Sequence, residues 1–132
     1  MTVITASFRT IEGTEAAEGV SGGGTVVVDR PDGVAGGRGL GFNGGELLAL
    51  AVGGCLCNDL RYVAHRRGAT LADFTVDVEV HVDANGSVER VSAHVAGDGQ
   101  RDAMAALLDE ATEGSTIVNA VKRGASVDVE LR

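Results

Sequence analysis

The chain has 132 residues, of which 44% are hydrophobic and 23% charged, and 11 Lys and Arg against 19 Asp and Glu give a formal charge of −8. This length suits a single domain spanning residues 1–132, and the acidic balance argues against nucleic acid as a partner. No apolar run approaches the roughly 18 residues of a membrane-spanning helix, which excludes an integral membrane protein.

The N-terminal third predicts strands and a long loop. The β-prone runs Val3–Arg9 and Thr25–Asp29 are typical of strands. The acidic, glycine-rich stretch 12–24 between them is either a hairpin loop or a further strand. Residues 32–45 contain seven glycines, so we expect a loop there that could form the wall of a site.

Good helix formers from Glu46 to Arg67 predict one long helix, with Gly68 where a C-terminal cap belongs. Its first half is apolar on every side, which predicts a helix buried all round. Its second half is amphipathic and ends in basic residues, which complement the negative end of the helix dipole.

The C-terminal half predicts a hairpin, two helices and a final strand. Alternating valines in Phe74–Asp83, the turn at Asn85 and Gly86, and the run Val88–Ala96 indicate the hairpin. The later elements are a helix over Gln100–Glu113, a short helix over Thr116–Arg123 that Ser115 can cap, and a strand over Ser126–Leu131.

Two thiols, Cys55 and Cys57, lie in the apolar half of the long helix and offer the clearest candidates for chemistry. Buried cysteine often packs as an inert hydrophobe, which remains an alternative for both. His65, His81 and His94 lie on different elements and there is no second cysteine pair, so no metal or cofactor is predicted. Positions two apart on a helix point about 200° apart, which disfavours a direct disulfide without excluding it.

The stretch from Gly36 to Cys55 resembles the loop and central helix of the OsmC/Ohr family of thiol-dependent hydroperoxide reductases. In that family a glycine-rich loop leads through Asn-Pro-Glu-Glu-Leu to Ala-x-x-x-Cys. The resemblance implies an α+β, OsmC-like fold, with a long central helix and antiparallel sheets wrapped into an intertwined homodimer. It also implies that Cys55 attacks the peroxide while Arg9, or alternatively Arg38, and Glu46 support its thiolate.

Three positions depart from the family pattern. Gly44 and Gly45 replace the proline and the first glutamate, so the acid at Glu46 is displaced or lost. Ser115 stands where the family carries its resolving cysteine, and a hydroxyl cannot form the disulfide that closes the cycle. Cys57 therefore resolves Cys55 after a helix distortion, or an external thiol reduces Cys55, or the peroxidase chemistry has lapsed.

The resemblance thus implies a homodimeric peroxidase that reduces organic hydroperoxides through Cys55 and uses an external thiol or dithiol reductant, and we expect it in the cytoplasm. Apolar neighbours such as Leu47 and Leu50 favour an alkyl or fatty-acyl peroxide. Two alternatives remain: a noncatalytic OsmC-like dimer that binds an apolar small molecule, and a redox-sensing thiol protein. Cytoplasmic location rests on an N-terminus without the charged start and apolar core of a secretory signal.

Overall fold

The computed structural model describes residues 1–97 and 99–132 and combines α and β structure. The elements in chain order are β1 (Ser7–Thr10), β2 (Ala17–Ser21), β3 (Gly24–Val28), α1 (Gly44–Arg66), β4 (Thr75–Val82), β5 (Val88–Ala96), α2 (Arg101–Gly114) and α3 (Thr116–Arg123). The chain divides into two compact units, residues 1–47 and 48–132, and each is described by itself.

The first unit holds a three-stranded antiparallel sheet in the order β1-β2-β3. The middle strand, Ala17–Ser21, lies within the stretch 12–24, which settles the open choice there in favour of a strand. β1 begins at Ser7 instead of Val3, because its pairing with β2 runs only from Ser7 opposite Val20 to Thr10 opposite Ala17. Residues before Ser7 have no regular structure, and Ile4 is 84% exposed.

The predicted glycine-rich loop connects β3 to α1 and is held together by the carboxylate of Asp29. This carboxylate accepts hydrogen bonds from the backbone N–H groups of Arg38 and Leu40, both at 3.0 Å, and of Arg30 at 2.9 Å. These donors, Leu40 first and then Arg38, lower the pKa of Asp29 below its ordinary value. A Cβ at Gly41 would come within 2.1 Å of the Val27 carbonyl oxygen, so the close backbone approach there requires glycine.

The ends of α1 follow from side-chain and backbone caps. Asn43 Oδ1 accepts from the Glu46 N–H at 2.8 Å while Glu46 Oε1 accepts from the Asn43 N–H at 3.0 Å, which is a capping box. At the other end Gly68 has φ 63°, and Ala69 donates to the Ala64 carbonyl, which forms a Schellman motif. The predicted long helix is thereby confirmed, and it begins two residues earlier than expected.

The core of the second unit lies between α1 and α2. Leu60, Val63 and Ala64 of α1 are buried with Leu71 and with a stripe on α2. That stripe consists of Met104, Leu107 and Ala111. Although α1 is long and apolar enough to cross a membrane by length and composition, this packing makes it the core helix of the fold.

The antiparallel hairpin of β4 and β5 is confirmed, with Val80 opposite Val91 and a register shift between His81 and Val82. It packs near α1 through Gly53, where a Cβ would lie 3.1 Å from a methyl carbon of Val78. This tight contact favours glycine at one of the two mid-helix positions, since an added Cβ would require the Val78 methyl group to shift.

Part of the first half of α1 is open. Leu50 is 52% exposed, Ala51 and Gly54 are also exposed, and nothing lies within 4 Å of a Cβ built on Gly54. The prediction that the first half of the helix is buried all round is therefore wrong for the single chain. We call the strip Leu50, Ala51 and Gly54 the open strip.

Both C-terminal helices are confirmed, whereas the predicted strand over Ser126–Leu131 is wrong for the single chain. Residues 124–132 have no regular structure, and Val127 and Leu131 are 82% and 99% exposed. Alternating valines give a segment the propensity for a strand, but a strand forms only where a neighbouring edge satisfies its N–H and C=O groups.

Candidate functional site

Cys55 and Ser115 meet within the second unit. Cys55 Sγ lies 3.3 Å from Ser115 Oγ, although the two residues are 60 positions apart. Ser115 is completely buried, and it occupies the single position between α2 and α3. Ser115, which the resemblance places at the resolving-cysteine position, is thus a direct neighbour of the Cys55 sulfur.

Local structure fixes the hydroxyl of Ser115. Its Oγ accepts the Val118 N–H at 3.3 Å, which caps the N-terminus of α3 as the sequence predicts. Its own N–H donates to the Thr112 carbonyl at 3.3 Å and so ends α2. One serine therefore terminates one helix, starts the next and touches the candidate nucleophile.

Asp59 is a third member of this cluster that the sequence analysis missed. The Cys55 thiol donates to Asp59 Oδ2 at 3.2 Å. The two residues are four apart on α1, a spacing that places side chains on the same helix face. That spacing was the available signal, but a single aspartate on an amphipathic helix is otherwise typical of a solvated surface.

The hydrogen bonds around the sulfur run in one direction. Because Ser115 Oγ already accepts from Val118, its own hydrogen is free to point at Cys55 Sγ. The thiol hydrogen in turn points at Asp59. The order Val118 N–H, Ser115 O–H, Cys55 S–H and Asp59 carboxylate gives the half-buried sulfur one donor and one acceptor.

Cys57 faces different neighbours. It lines a groove of about 360 Å³ whose other lining residues are Ala49, Leu50, Gly53, Gly54, Val76 and Val78. Both cysteines are free thiols, and both are half-buried. In residues 1–97 and 99–132, no group of three metal-binding side chains is found.

The other residues assigned by the resemblance lie in the first unit. Arg9 is exposed on β1, opposite Glu18 on β2. Arg38 is exposed in the loop, where its backbone N–H donates to Asp29. Glu46 uses its carboxylate in the capping box with Asn43, and the ion pairs found among the described residues include none of these three charged side chains.

Gly44 and Gly45 form the first turn of α1. No atom of another side chain or distant backbone comes within 4 Å of a Cβ built on Gly44, and the nearest to Gly45 is Asn43 Oδ1 at 3.4 Å. The chain therefore does not need glycine at these two positions for close packing. The structure gives no physical account of their presence.

An apolar groove of about 230 Å³ lies elsewhere in the second unit. It is lined by Val52, Leu56, Val91, Ala93, Leu108, Thr112, Val118, Val121 and Lys122. Leu56 follows Cys55 on α1, and Val118 is the residue whose N–H binds Ser115. Two of the residues that line the groove therefore adjoin the cluster.

Solved structures of similar architecture support the fold. An OsmC-like protein from Mycoplasma pneumoniae superposes with a TM-score of 0.72 at 13% identity, covering 93% of this chain and 89% of that one. An organic hydroperoxide resistance protein OsmC from Legionella pneumophila gives 0.62 at 24% identity, with coverages of 94% and 91%. OhrB of Bacillus subtilis, an organic hydroperoxide resistance protein, gives 0.61 at 20% identity, with coverages of 99% and 98%.

No curated protein matches the sequence. The family model described as OsmC-like protein, however, matches residues 36–130, which include the glycine-rich loop, the central helix and Ser115. The match covers more than half of the chain and agrees with the observed order of strands and helices. The chain therefore belongs to the OsmC-like protein family.

Proposed function

We propose that this protein reduces organic hydroperoxides with Cys55 as the nucleophile. The observation that carries the proposal is the contact of the half-buried Cys55 sulfur with two polar groups, Ser115 and Asp59. A thiolate attacks the terminal peroxide oxygen, so that an S–O bond forms as the O–O bond breaks. Cys55 is oxidised to a sulfenic acid, and the peroxide leaves as an alcohol after gaining a proton.

The thiolate needs a positive group close to it, because a thiol in apolar surroundings otherwise keeps its proton. We assign this role to Arg9, with Arg38 as the alternative. Both guanidinium groups are outside the ion pairs found among the described residues, so neither is committed to a carboxylate there. Glu46 would orient the guanidinium with one carboxylate oxygen, while the other, Oε1, caps α1 by accepting the Asn43 N–H.

An external thiol completes the cycle in this proposal. Ser115 supplies no sulfur, and Cys57 lines a groove with Val76 and Val78 instead of facing Cys55's partners. One thiol condenses with the sulfenic acid to give a mixed disulfide and water, and a second thiol releases Cys55 as the reduced thiol. A dithiol supplies both sulfurs and leaves as its own disulfide.

The working form would be a homodimer joined through the open strip. A mid-helix glycine costs about 0.5–1 kcal/mol relative to alanine, yet nothing in the chain contacts a Cβ at Gly54. Ala51 and Gly54 let a second helix approach closely, and the exposed Leu50 beside them gains burial when it does. The exposed alternating segment 126–131 gives the second copy a further edge to pair with.

The groove of about 230 Å³ favours one competing function, the noncatalytic binding of an apolar small molecule. Its lining is aliphatic apart from Thr112 and Lys122, which suits an alkyl group carrying one polar end. In this alternative the cysteines have only a packing role. The same groove would instead hold the alkyl part of the peroxide if the enzyme hypothesis is right.

The test mixes reduced protein with cumene hydroperoxide and a dithiol, and follows peroxide loss together with peptide mass at each cysteine. We expect peroxide consumption that is abolished in Cys55→Ser and retained in Cys57→Ser, which is the matched control two positions away. Unchanged peroxide with unmodified thiols would overturn the enzyme and favour the binding protein. Oxidation of Cys55 without turnover in the presence of dithiol would favour a redox sensor.

A further inference from the structure

The geometry assigns Asp59 as the acid-base partner of Cys55: it holds the thiol proton during attack on the peroxide and delivers that proton to the departing alkoxide. This inference rests on the proposed hydroperoxide reduction and adds a catalytic residue to it. The supporting contact is the 3.2 Å hydrogen bond from Cys55 Sγ to Asp59 Oδ2.

The direction of the hydrogen bonds makes the transfer available without rearrangement. The thiol hydrogen already points at Asp59, and the other side of the sulfur faces the Ser115 hydroxyl. When the proton moves to the carboxylate, the sulfur becomes an acceptor for two hydroxyl-type donors, Ser115 and the carboxylic acid of Asp59. The new anion is therefore hydrogen-bonded on both sides from the moment it forms.

Proton sharing also keeps the net charge of the pair constant. Before the shift the negative charge is on Asp59, and after it the charge is on the sulfur. Loss of the proton to solvent would instead leave two anions 3.2 Å apart, which repel each other. The hydrogen bond from Cys55 Sγ to Asp59 Oδ2 describes the resting pair as thiol and carboxylate, and the shifted form arises as attack proceeds.

The reaction also needs this proton on the leaving oxygen of the peroxide. Attack by the sulfur on the terminal oxygen leaves an alkoxide, which is a poor leaving group unless it is protonated. The hydroxyl on the terminal oxygen stays with sulfur as the sulfenic acid, so the proton that Asp59 took from Cys55 balances the released alcohol. One proton thus moves from thiol to carboxylate to alcohol, and Asp59 returns to its ionised form.

Asp59 has open space beside it. It lines a cleft of about 100 Å³ with Tyr62, Val63, Arg66, Glu110, Ala111 and Gly114, the residue before Ser115. Asp59 therefore borders open space in addition to its contact with Cys55. No other carboxylate among the described residues is hydrogen-bonded to Cys55.

The experiment measures single-turnover oxidation of Cys55, by peptide mass, with two oxidants that differ in their leaving group. Cumene hydroperoxide releases an alkoxide that needs a proton, whereas peracetic acid releases a carboxylate that does not. Asp59→Asn keeps the size of the side chain and can form hydrogen bonds, but it can neither accept the thiol proton nor act as an acid. Asp59→Glu restores the acid, and Asp109→Asn removes the same charge from an exposed position on α2.

We expect Asp59→Asn to slow oxidation by cumene hydroperoxide about 10²-fold and oxidation by peracetic acid about tenfold less than that, because the variant loses the acceptor of the thiol proton with both oxidants but needs a donor to the leaving group only with cumene hydroperoxide. Asp59→Glu should recover part of the cumene rate, and Asp109→Asn should change neither rate. Equal slowing with both oxidants, or no slowing with cumene hydroperoxide, would overturn the role of Asp59 while leaving the proposed function in place. A wild-type Cys55 that only peracetic acid oxidises would overturn the proposed function itself.

Discussion

The sulfur of Cys55 and the hydroxyl oxygen of Ser115 lie 3.3 Å apart, and the serine is fully buried. Two sulfur atoms in a disulfide are about 2.05 Å apart. In a cysteine at position 115 the bond from Cβ to sulfur would be longer than the present bond to oxygen, which brings the two sulfur atoms closer together. A rotation of the side chains can then close the rest of the gap to the length of a disulfide bond. Position 115 is therefore within bonding reach of Cys55.

We predict that Ser115→Cys forms a disulfide with Cys55 when treated with one equivalent of cumene hydroperoxide. The oxidised variant should lose two free thiols and two hydrogens in intact mass, and it should not be labelled by dimedone, which traps sulfenic acids. Wild-type protein and Ser115→Ala should both stay dimedone-reactive at Cys55. A dimedone adduct at Cys55 of the cysteine variant would contradict the prediction.

Replacing the guanidinium group of Arg9 should lower the reactivity of Cys55. We predict that Arg9→Met slows alkylation of Cys55 by iodoacetamide about tenfold or more, because thiolate formation loses its positive neighbour. Arg38→Met should leave the rate within about twofold of the wild-type value if Arg9 holds the role. The opposite pattern would transfer the role to Arg38, and two unchanged rates would refute both assignments.

The loop after β3 should carry a pH dependence that comes from Asp29. Because backbone N–H donors, those of Leu40 and Arg38 above all, lower the pKa of the folded carboxyl, its stabilising effect is present above the ordinary carboxyl pKa. The effect is lost as pH falls through the lowered folded pKa. Asp29→Asn puts an amide N–H against those donors, so it should unfold at a lower temperature than wild type near neutral pH.

Thermal unfolding followed by circular dichroism at about pH 7 and about pH 3 checks the predicted effect of Asp29→Asn. The difference in midpoint between Asp29→Asn and wild type should be large at the higher pH and should shrink at the lower one. Asp32→Asn, an exposed neighbour in the same loop, is the control. A difference that does not change with pH would show that Asp29 acts through packing alone.

The open strip predicts a specific way to break the dimer. Leu50→Glu places a charge in the apolar contact, so sedimentation should show a monomer at concentrations where wild type is a dimer. Val88→Glu adds the same charge at a hairpin position that is 48% exposed, close to the 52% of Leu50, and should stay dimeric. A wild-type chain that is a well-folded monomer at nanomolar concentration would remove the dimer from the proposal.

Most of the fold could be predicted because its signals are local. The alternating valines of β4, the turn at Asn85 and Gly86, and the serine before α3 each specify their own geometry. The capping box at Asn43 and Glu46 also had a local signal, the spacing of three residues, but the glutamate was interpreted through its family position.

The remaining features depend on contacts between distant segments. The segment 126–131 has a strand pattern without a paired strand, because pairing needs an edge that no residue type can specify by itself. The contact of Cys55 with Ser115 was expected only from the resemblance, since 60 residues separate them. Asp59 and Asp29 were missed because a single aspartate has no pattern until the structure shows which hydrogen-bond donors surround it.

The close approach of Gly41 to the Val27 backbone has a consequence for which residues the loop can accept. A methyl group there would overlap the Val27 carbonyl, even though much of the surrounding loop is open to water. Substitution tolerance in this segment should therefore not track solvent exposure. In a saturation library, Gly41 should be as intolerant of replacement as the innermost leucine, Leu60, while exposed Val34 nearby accepts most residues.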